Sequence, residues 1–222
     1  MKEGIQMKDK ANSERVVHIN EGGVTLEGAV EIPEGAGGIV VFAHGSGSSR
    51  HSPRNNYVAG VLREHGLGTL LLDLLTPEED MDYEMRFNID LLAQRLLAAT
   101  KWLSEQEETR ELALGYFGAS TGAAAAIQTA AAMGGKVSAV VSRGGRPDLA
   151  WQYLGEIKAP TLLIVGGCDD VVIGLNQKAF SRINAVKRME IVPGATHLFE
   201  EPGTLEKVAE LAALWFVKYL DR

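Results

Sequence analysis

The chain has 222 residues with a formal net charge of -7, and 45% of its residues are hydrophobic. This length suits one domain with a full core, and the acidic balance argues against nucleic acid or an anionic membrane surface as partner. Its single cysteine, Cys168, excludes an intrachain disulfide and fits a reducing compartment. With neither a signal-peptide pattern nor an apolar stretch of membrane-spanning length, we expect a soluble cytoplasmic protein.

Residues 1–14 are polar and predict a lead-in to a single domain over 15–222. The segments "VVHIN" and "VTLEGAVEI" flank Glu21-Gly22-Gly23 and predict a β-hairpin. Six further strands are predicted, several with the continuous apolar runs of strands covered on both faces: "GGIVVFAH", "GTLLLDLL", "LALGYFG", "KVSAVVS", "APTLLIVGG" and "RMEIVPG". Helical segments alternate with these strands, which predicts a mostly parallel sheet with helices on both faces.

Two connecting segments carry predictions of their own. The acidic stretch "TPEEDMDYE" predicts a loop, and "NQKAFSRIN" predicts a helix that begins at Asn176. Only "RGGRPDLAWQYLGEIK" separates the sixth and seventh predicted strands, where lipases and many esterases carry a lid. We therefore expect no large lid domain, and a pocket suited to small soluble substrates.

The segment Gly118-Ala119-Ser120-Thr121-Gly122 lies where a predicted strand ends and an alanine-rich helix begins. A serine at that point is a common helix N-cap. The G-x-S-x-G pattern also predicts a nucleophile elbow, in which a tight turn lifts the hydroxyl clear of the sheet. The pattern alone leaves both interpretations of Ser120 open.

A serine hydroxyl becomes a good nucleophile only beside a base, which a third group orients. Among the five histidines, His197 in "VPGATHLFEE" follows the last predicted strand, at the carboxyl edge of the sheet where ligands bind. The segment "LLIVGGCDDVV" places Asp169 and Asp170 after the preceding strand, so the chain order is serine, acid, histidine. We take Asp169 as the acid, with Asp170 as the second choice.

The Gly/Ser-rich segment "HGSGSS" follows the third predicted strand. It lacks the patterns of a phosphate-binding or dinucleotide-binding loop. We expect it to supply backbone N–H groups, at Ser46, which form an oxyanion hole together with the N–H of Thr121. The Gly/Ser-rich segment, the serine elbow, the acid and the histidine occur in the required order, each after a predicted strand. Together these four features favour Ser120 as a nucleophile over Ser120 as a helix cap.

The chain resembles the α/β-hydrolase superfamily over nearly its whole length, and within it the dienelactone-hydrolase-like group. The resemblance rests on "FAHGSGSSRHSPRN", "GYFGASTGAAAA", "SRGGRPDLA", "LLIVGGCDD" and "VPGATHLFEEPGTLE". It implies the α/β-hydrolase fold with an eight-stranded sheet, a Ser120–His197–Asp169 triad, and hydrolysis of esters or similar acyl compounds without cofactor or metal. Dienelactone hydrolases proper use a cysteine nucleophile, whereas this chain has Ser120 there and Cys168 beside the acid.

Arginines are concentrated in loops on the presumed active face: Arg50, Arg54, Arg143 and Arg146. They either pair with neighbouring acids, such as Asp73 and Asp148, or recognise an anionic substrate through the forked guanidinium.

Three functions fit these patterns. The first is a serine carboxylesterase that acts on small esters or lactones. The second is a thioesterase or acyltransferase with the same triad, and the third is a non-catalytic binding module on a hydrolase scaffold. The intact serine, histidine and acid argue against the third, and the expected partner is a small-molecule ester.

Overall fold

The structure is a computed structural model that describes residues 14–220. Its strands are β1 (Arg15–Glu21), β2 (Val24–Glu31), β3 (Gly38–Ala43), β4 (Leu67–Leu72), β5 (Ala113–Ala119), β6 (Ala139–Arg143), β7 (Thr161–Gly166) and β8 (Lys187–Val192). Its helices are α1 (Pro53–Glu64), α2 (Pro77–Asp80), α3 (Ile89–Glu105), α4 (Thr121–Met133), α5 (Asp170–Arg182) and α6 (Thr204–Leu220). Of the predicted lead-in over 1–14, all but Glu14 lies outside the described residues, and the domain predicted over 15–222 extends past their C-terminal end.

The strands form one open sheet in the order β1-β2-β4-β3-β5-β6-β7-β8. Strand β2 runs antiparallel to both of its neighbours, and the pairs from β4 through to β8 are all parallel. This confirms the predicted eight-stranded, mostly parallel sheet. Because parallel neighbours end at the same edge, the loops after β3, β5, β6, β7 and β8 meet there.

The central strands are buried on both faces, which explains their continuous apolar runs. In β3, the neighbouring residues Val41 and Phe42 belong to different cores on opposite faces of the sheet. Helices α3 and α4 pack on the Val41 face, and α1 and α6 pack on the Phe42 face. The helices predicted for both faces are therefore confirmed.

Two connecting segments differ from the sequence-based expectation. The acidic segment after β4 is not only a loop, because α2 forms there with Pro77 in its first turn. A capping box stabilises α2: Glu79 N–H donates to Thr76 Oγ1 (3.2 Å), and Thr76 N–H donates to Glu79 Oε2 (2.9 Å). Helix α5 begins at Asp170 and not at Asn176, and its first turns carry β-branched residues and a glycine, which weaken a helical pattern in the sequence.

The connection between β6 and β7 is short. It contains a 3-10 segment at Pro147–Tyr153 and no longer helix, which confirms that no large lid domain is inserted there. None of the helices in residues 14–220 is both long enough and apolar enough to span a membrane.

Candidate active site

Ser120 lies in the sharp turn between β5 and α4, with φ of 50° and ψ of -119°. A positive φ is unfavourable for a residue with a side chain and is found where the surrounding structure enforces it. The Ser120 hydroxyl makes no hydrogen bond to the first turn of α4. Ser120 therefore occupies the N-cap position of α4 without its side chain capping the helix, and the strained turn has the geometry expected of the elbow.

Glycines on both sides of the turn allow the strand, the turn and the helix to pack closely. A Cβ on Gly118 would lie 2.4 Å from Ala123 Cα, and a Cβ on Gly122 would lie 2.1 Å from the carbonyl oxygen of Ala43. Both distances are far below van der Waals contact. The two glycines of the G-x-S-x-G pattern are thus required by the approach of α4 to β3 and β5.

The backbone of Ser120 is fixed by hydrogen bonds to the segment that follows it in the sheet. Its N–H donates to the carbonyl oxygen of Arg143, at the end of β6 (3.2 Å), and its own carbonyl accepts from Arg146 N–H (3.0 Å). These contacts hold the turn against the loop after β6. They fix the direction in which the Ser120 side chain leaves the sheet.

His197 and Asp169 come together from the loops after β8 and β7. His197 Nδ1 and Asp169 Oδ2 are 2.7 Å apart, and Asp169 is the more buried of the two. A carboxylate is an acceptor, so Nδ1 carries the hydrogen of this bond and the Nε2 lone pair of the neutral ring is free to take a proton. Asp170 is the first residue of α5 and is exposed. The structure therefore brings Asp169, and not Asp170, to the histidine.

Ser120 and His197 lie beside the same end of β6. Gly144 follows Arg143, which accepts the Ser120 N–H bond, and a Cβ on Gly144 would lie 3.5 Å from both Cε1 and Nδ1 of the His197 ring. Among the described residues, no hydrogen bond joins Ser120 Oγ to His197 Nε2. Such bonds are often long in unliganded enzymes and shorten when substrate binds.

His44 anchors the loop that contains Ser46. Leu74 N–H donates to His44 Nε2 (3.0 Å), so Nδ1 carries the hydrogen and donates to the carbonyl oxygen of Gly45 (3.0 Å). Burial lowers the pKa of His44, which keeps the ring neutral, as the bond to Nε2 requires. Sequence analysis gave His44 no role, although the histidine at the end of β3 was visible in "FAHGSG".

The loop after β3 lies against the elbow. A Cβ on Gly45 would lie 3.0 Å from Ser120 Cβ, so the loop passes directly beside the serine. Ser46 is exposed on this loop, and Thr121 is buried at the start of α4. The structure thus brings the segments of both predicted oxyanion donors next to Ser120.

A narrow cavity of about 10 Å³ adjoins this loop, with Ser46, Gly47 and Thr121 among its lining residues. Arg86 forms another part of the wall. Its Nε and Nη2 each donate to one carboxylate oxygen of Asp80 at 3.0 Å, and Nε also donates to the carbonyl oxygen of Asp80. Arg86 was missed by sequence analysis, which gave this residue no role.

Two of the four arginines singled out from the sequence are paired with acids. Arg50 forms ion pairs with Asp73 and Glu27. Arg146 binds both oxygens of Asp148, at 2.8 Å each. Asp148 accordingly raises the pKa of Arg146.

The other two arginines form fewer contacts with acids. Arg54 Nη1 donates to the exposed Glu200 (3.0 Å). Arg143 is only 7% exposed, its Nη2 is 3.4 Å from Asn55 Oδ1, and its guanidinium carbon lies 5.9 Å from the centre of the Phe199 ring. Burial, and then the positive charge of Arg54, lower the pKa of Arg143 to about 10. No carboxylate among the described residues forms an ion pair with Arg143.

Within residues 14–220, no three histidine, cysteine, aspartate or glutamate side chains are placed to hold a metal ion together.

Comparison with known proteins gives similar proteins of known structure and similar curated sequences. A dienelactone hydrolase from Anabaena variabilis superposes with a TM-score of 0.91 at 56% identity, covering 94% of this chain and 98% of that one. A Mycobacterium tuberculosis protein that carries the provisional name phosphoribosyl transferase is 58% identical over 204 residues, which are 92% of this chain and 46% of that protein. The chain therefore spans about half the length of the curated relatives it matches.

The fold is shared with more distant proteins. An α/β serine hydrolase without a lid from Xanthomonas campestris superposes with a TM-score of 0.78 at 19% identity, covering 94% of this chain and 96% of that one. At this identity the similarity shows the fold alone, and it confirms the predicted α/β-hydrolase architecture. The family model of the dienelactone hydrolase family matches residues 32–220. Since that match covers most of the sequence, the chain belongs to the dienelactone hydrolase family.

Proposed function

We propose that this protein is a serine hydrolase that cleaves small carboxylic esters or lactones through an acyl-enzyme on Ser120. One observation carries the proposal: the strained turn at Ser120 and the His197–Asp169 hydrogen bond of 2.7 Å lie at the same edge of the sheet. Family membership gives the hydrolase fold, and the proposal adds the nucleophile, the base and the orienting acid. The proposed partner is a small-molecule ester, and the single cysteine fits a cytoplasmic location.

In the first half of the reaction, His197 Nε2 removes the proton from Ser120 Oγ as that oxygen attacks the carbonyl carbon of the substrate. The carbonyl oxygen becomes an oxyanion, which accepts hydrogen bonds from the backbone N–H groups of Ser46 and Thr121. The protonated histidine then gives its proton to the leaving alcohol oxygen. The acyl group remains esterified to Ser120.

In the second half, water attacks the acyl-enzyme, and His197 again acts as the base. The proton then returns from His197 to Ser120 Oγ as the carboxylic acid leaves. Asp169 keeps the imidazole in the tautomer with hydrogen on Nδ1 and stabilises the imidazolium formed in each half. Thr121 N–H lies at the N-terminus of α4, where the helix dipole adds to the stabilisation of the oxyanion. One oxyanion donor contributes about 3–4 kcal/mol in well-studied enzymes.

Short acyl groups are the proposed substrates because the connection after β6 is short and the cavity beside Ser46 is narrow. Of the arginines considered for an anionic substrate, Arg50 and Arg146 each bind carboxylates through two guanidinium nitrogens. Arg54 forms a single ion pair with the exposed Glu200, and Arg143 forms none within residues 14–220. Arg54 and Arg143 therefore remain the candidates for that role. Hydrolysis of a thioester, or transfer of the acyl group to another alcohol, would use the same residues.

A fluorophosphonate tests the proposal, because it reacts with a serine that a base has activated. We expect mass mapping to find the label on Ser120 in the wild type, and the folded Ser120→Ala variant to lack both the label and p-nitrophenyl acetate hydrolysis. Faster hydrolysis of an acyl-CoA thioester than of the matched oxygen ester would favour the thioesterase. A wild-type protein without label on Ser120 would favour the binding module.

A further inference from the structure

The cavity adjoins the oxyanion loop, the segment after β3 that contains Ser46, and is lined by side chains that the proposed chemistry does not use, among them those of Thr121, Arg86 and Asp80. Its volume of about 10 Å³ is close to the minimum that holds one water molecule. Leu75 and Leu92 are its apolar lining residues, and Ser46 is among the polar ones. It therefore suits a group of one non-hydrogen atom that can form hydrogen bonds.

Thr121 supplies a hydroxyl without a partner. Its side chain is 2% exposed, and Oγ1 makes no hydrogen bond within the described residues. A buried hydroxyl left unpaired destabilises the protein unless another molecule pairs with it. By contrast Thr129, two turns along the same helix, donates from Oγ1 to the carbonyl oxygen of Ala93 (3.1 Å). The unpaired hydroxyl therefore distinguishes Thr121, a residue that lines the cavity, from Thr129 of the same helix.

Arg86 supplies a fixed donor. Because Nε and Nη2 are bound to Asp80, the orientation of the guanidinium plane is set, and Nη1 remains for another partner. Nη1 lies 3.7 Å from the position that a Cβ on Gly47 would occupy, so it faces the loop after β3. Gly47 has φ of 68°, which favours glycine, and the missing side chain keeps this approach open.

We propose that this cavity is an acyl subsite that binds one oxygen atom on the carbon next to the scissile carbonyl. The substrate class would be esters of 2-hydroxy or 2-oxo acids. The inference rests on the proposed function, because Ser46 and Thr121 must hold the carbonyl oxygen. An oxygen on the neighbouring carbon can lie on the same side as the carbonyl oxygen, about one hydrogen-bond length from it. It then reaches Arg86 Nη1 as an acceptor and pairs with Thr121 Oγ1.

Glycolyl and propionyl esters of one alcohol give a matched pair, because they differ by a hydroxyl in place of a methyl group. Their kcat/KM ratio is divided by the ratio of their hydroxide-catalysed rates, which removes the intrinsic reactivity of the glycolyl ester. For the wild type we expect a corrected preference of roughly tenfold for glycolyl, the net value of about one buried hydrogen bond. Thr121→Val and Arg86→Gln should each bring the preference to within about twofold.

Thr129→Val is the matched control, since it removes a hydroxyl from the same helix away from the cavity. It is expected to keep the glycolyl preference even if it lowers stability. Arg86→Gln keeps the inference testable should Thr121→Val not fold. A wild type without the preference, or variants that lose activity on both esters equally, would overturn the subsite and leave a cavity that holds water.

The same samples are treated with fluorophosphonate. Label on Ser120 without a glycolyl preference would reject the subsite and keep the hydrolase. No label on Ser120 would reject the proposed function and the subsite with it.

Discussion

The carboxylate of Glu201 binds the residue that precedes the candidate base. Thr196 N–H donates to Glu201 Oε2 (3.0 Å), and Thr196 Oγ1 donates to Glu201 Oε1 (2.7 Å). The carbonyl oxygen of Glu201 in turn accepts from Thr204, at the start of α6 (2.7 Å). The Glu201 side chain therefore links the C-terminal part of the loop that carries His197 back to Thr196. The bond from Thr204 attaches this part of the loop to α6.

We expect Glu201→Gln to lower the free energy of unfolding at pH 7. The bonds from Thr196 lower the pKa of Glu201 below its usual 4.5, so the ionised carboxylate is stabilised in the folded state. This stabilisation is complete above the unfolded pKa and is lost as the pH falls through the lower folded pKa. The difference between wild type and variant should therefore shrink as the pH falls below 4.5, as urea unfolding at several pH values would show. A difference that is constant with pH would contradict the expectation.

Ser120→Ala and His197→Ala should reduce kcat for p-nitrophenyl acetate by similar factors, and the double variant should be little worse than either. Members of a triad act as a unit, so their losses do not add. Steady-state kinetics on the three folded variants measures this. Losses that multiply in the double variant would mean that His197 is not the base for Ser120.

Asp169→Asn and Asp170→Asn separate the two adjacent acids. Asp169 holds His197 Nδ1, and an asparagine can present its amide N–H there and favour the wrong tautomer, so a loss in kcat of up to roughly 10⁴-fold is expected. Asp170 lies exposed in the first turn of α5, where losing its charge should cost at most about 1 kcal/mol of stability and little activity. The two losses are compared in kcat at one pH. A larger loss for Asp170→Asn would move the orienting role to that residue.

If the arginines recognise an anion, Arg54→Gln should lower kcat/KM for an ester that carries a carboxylate. The kcat/KM for its neutral analogue should stay nearly unchanged. The advantage of the anionic ester in the wild type should decrease with salt, because exposed charges are screened over about 8–10 Å. Arg146→Gln is the control, since that guanidinium already binds Asp148. The readout is kcat/KM for both esters in each protein. An equal decrease in kcat/KM for both esters in Arg54→Gln would contradict recognition of an anionic substrate.

The elements that sequence reasoning recovered are those decided by local patterns. The apolar runs of β3 and β5 need burial on both faces, and that requirement is visible in any single strand. The elbow was visible because Gly118 and Gly122 are dictated by close backbone packing around one turn. The prediction that Ser120, Asp169 and His197 lie at one edge followed from the parallel direction of their strands, and the structure pairs Asp169 with His197.

What was missed depends on side chains that meet across loops. Arg86 follows an acidic segment, and only the folded positions of α2 and Gly47 direct its guanidinium to the oxyanion loop. For Arg50, sequence analysis left pairing with an acid such as Asp73 and substrate binding both open, because its ion pairs with Asp73 and Glu27 join residues from three parts of the chain. The early start of α5 was hidden by residues with weak helix propensity, which tertiary packing overrides.

The close contact of Gly122 with the end of β3 fixes the backbone in one part of the site and leaves the side chains of another part free to vary. A Cβ there would meet the carbonyl oxygens of Ala43 and His44, the same two residues from which the oxyanion loop departs. The start of α4 and the start of that loop are therefore in direct backbone contact, and neither can shift without the other. For the proposed enzyme, this means that selectivity can be redesigned at cavity residues such as Leu75. The backbone positions proposed to bind the carbonyl oxygen are fixed by the packing of α4 on the sheet.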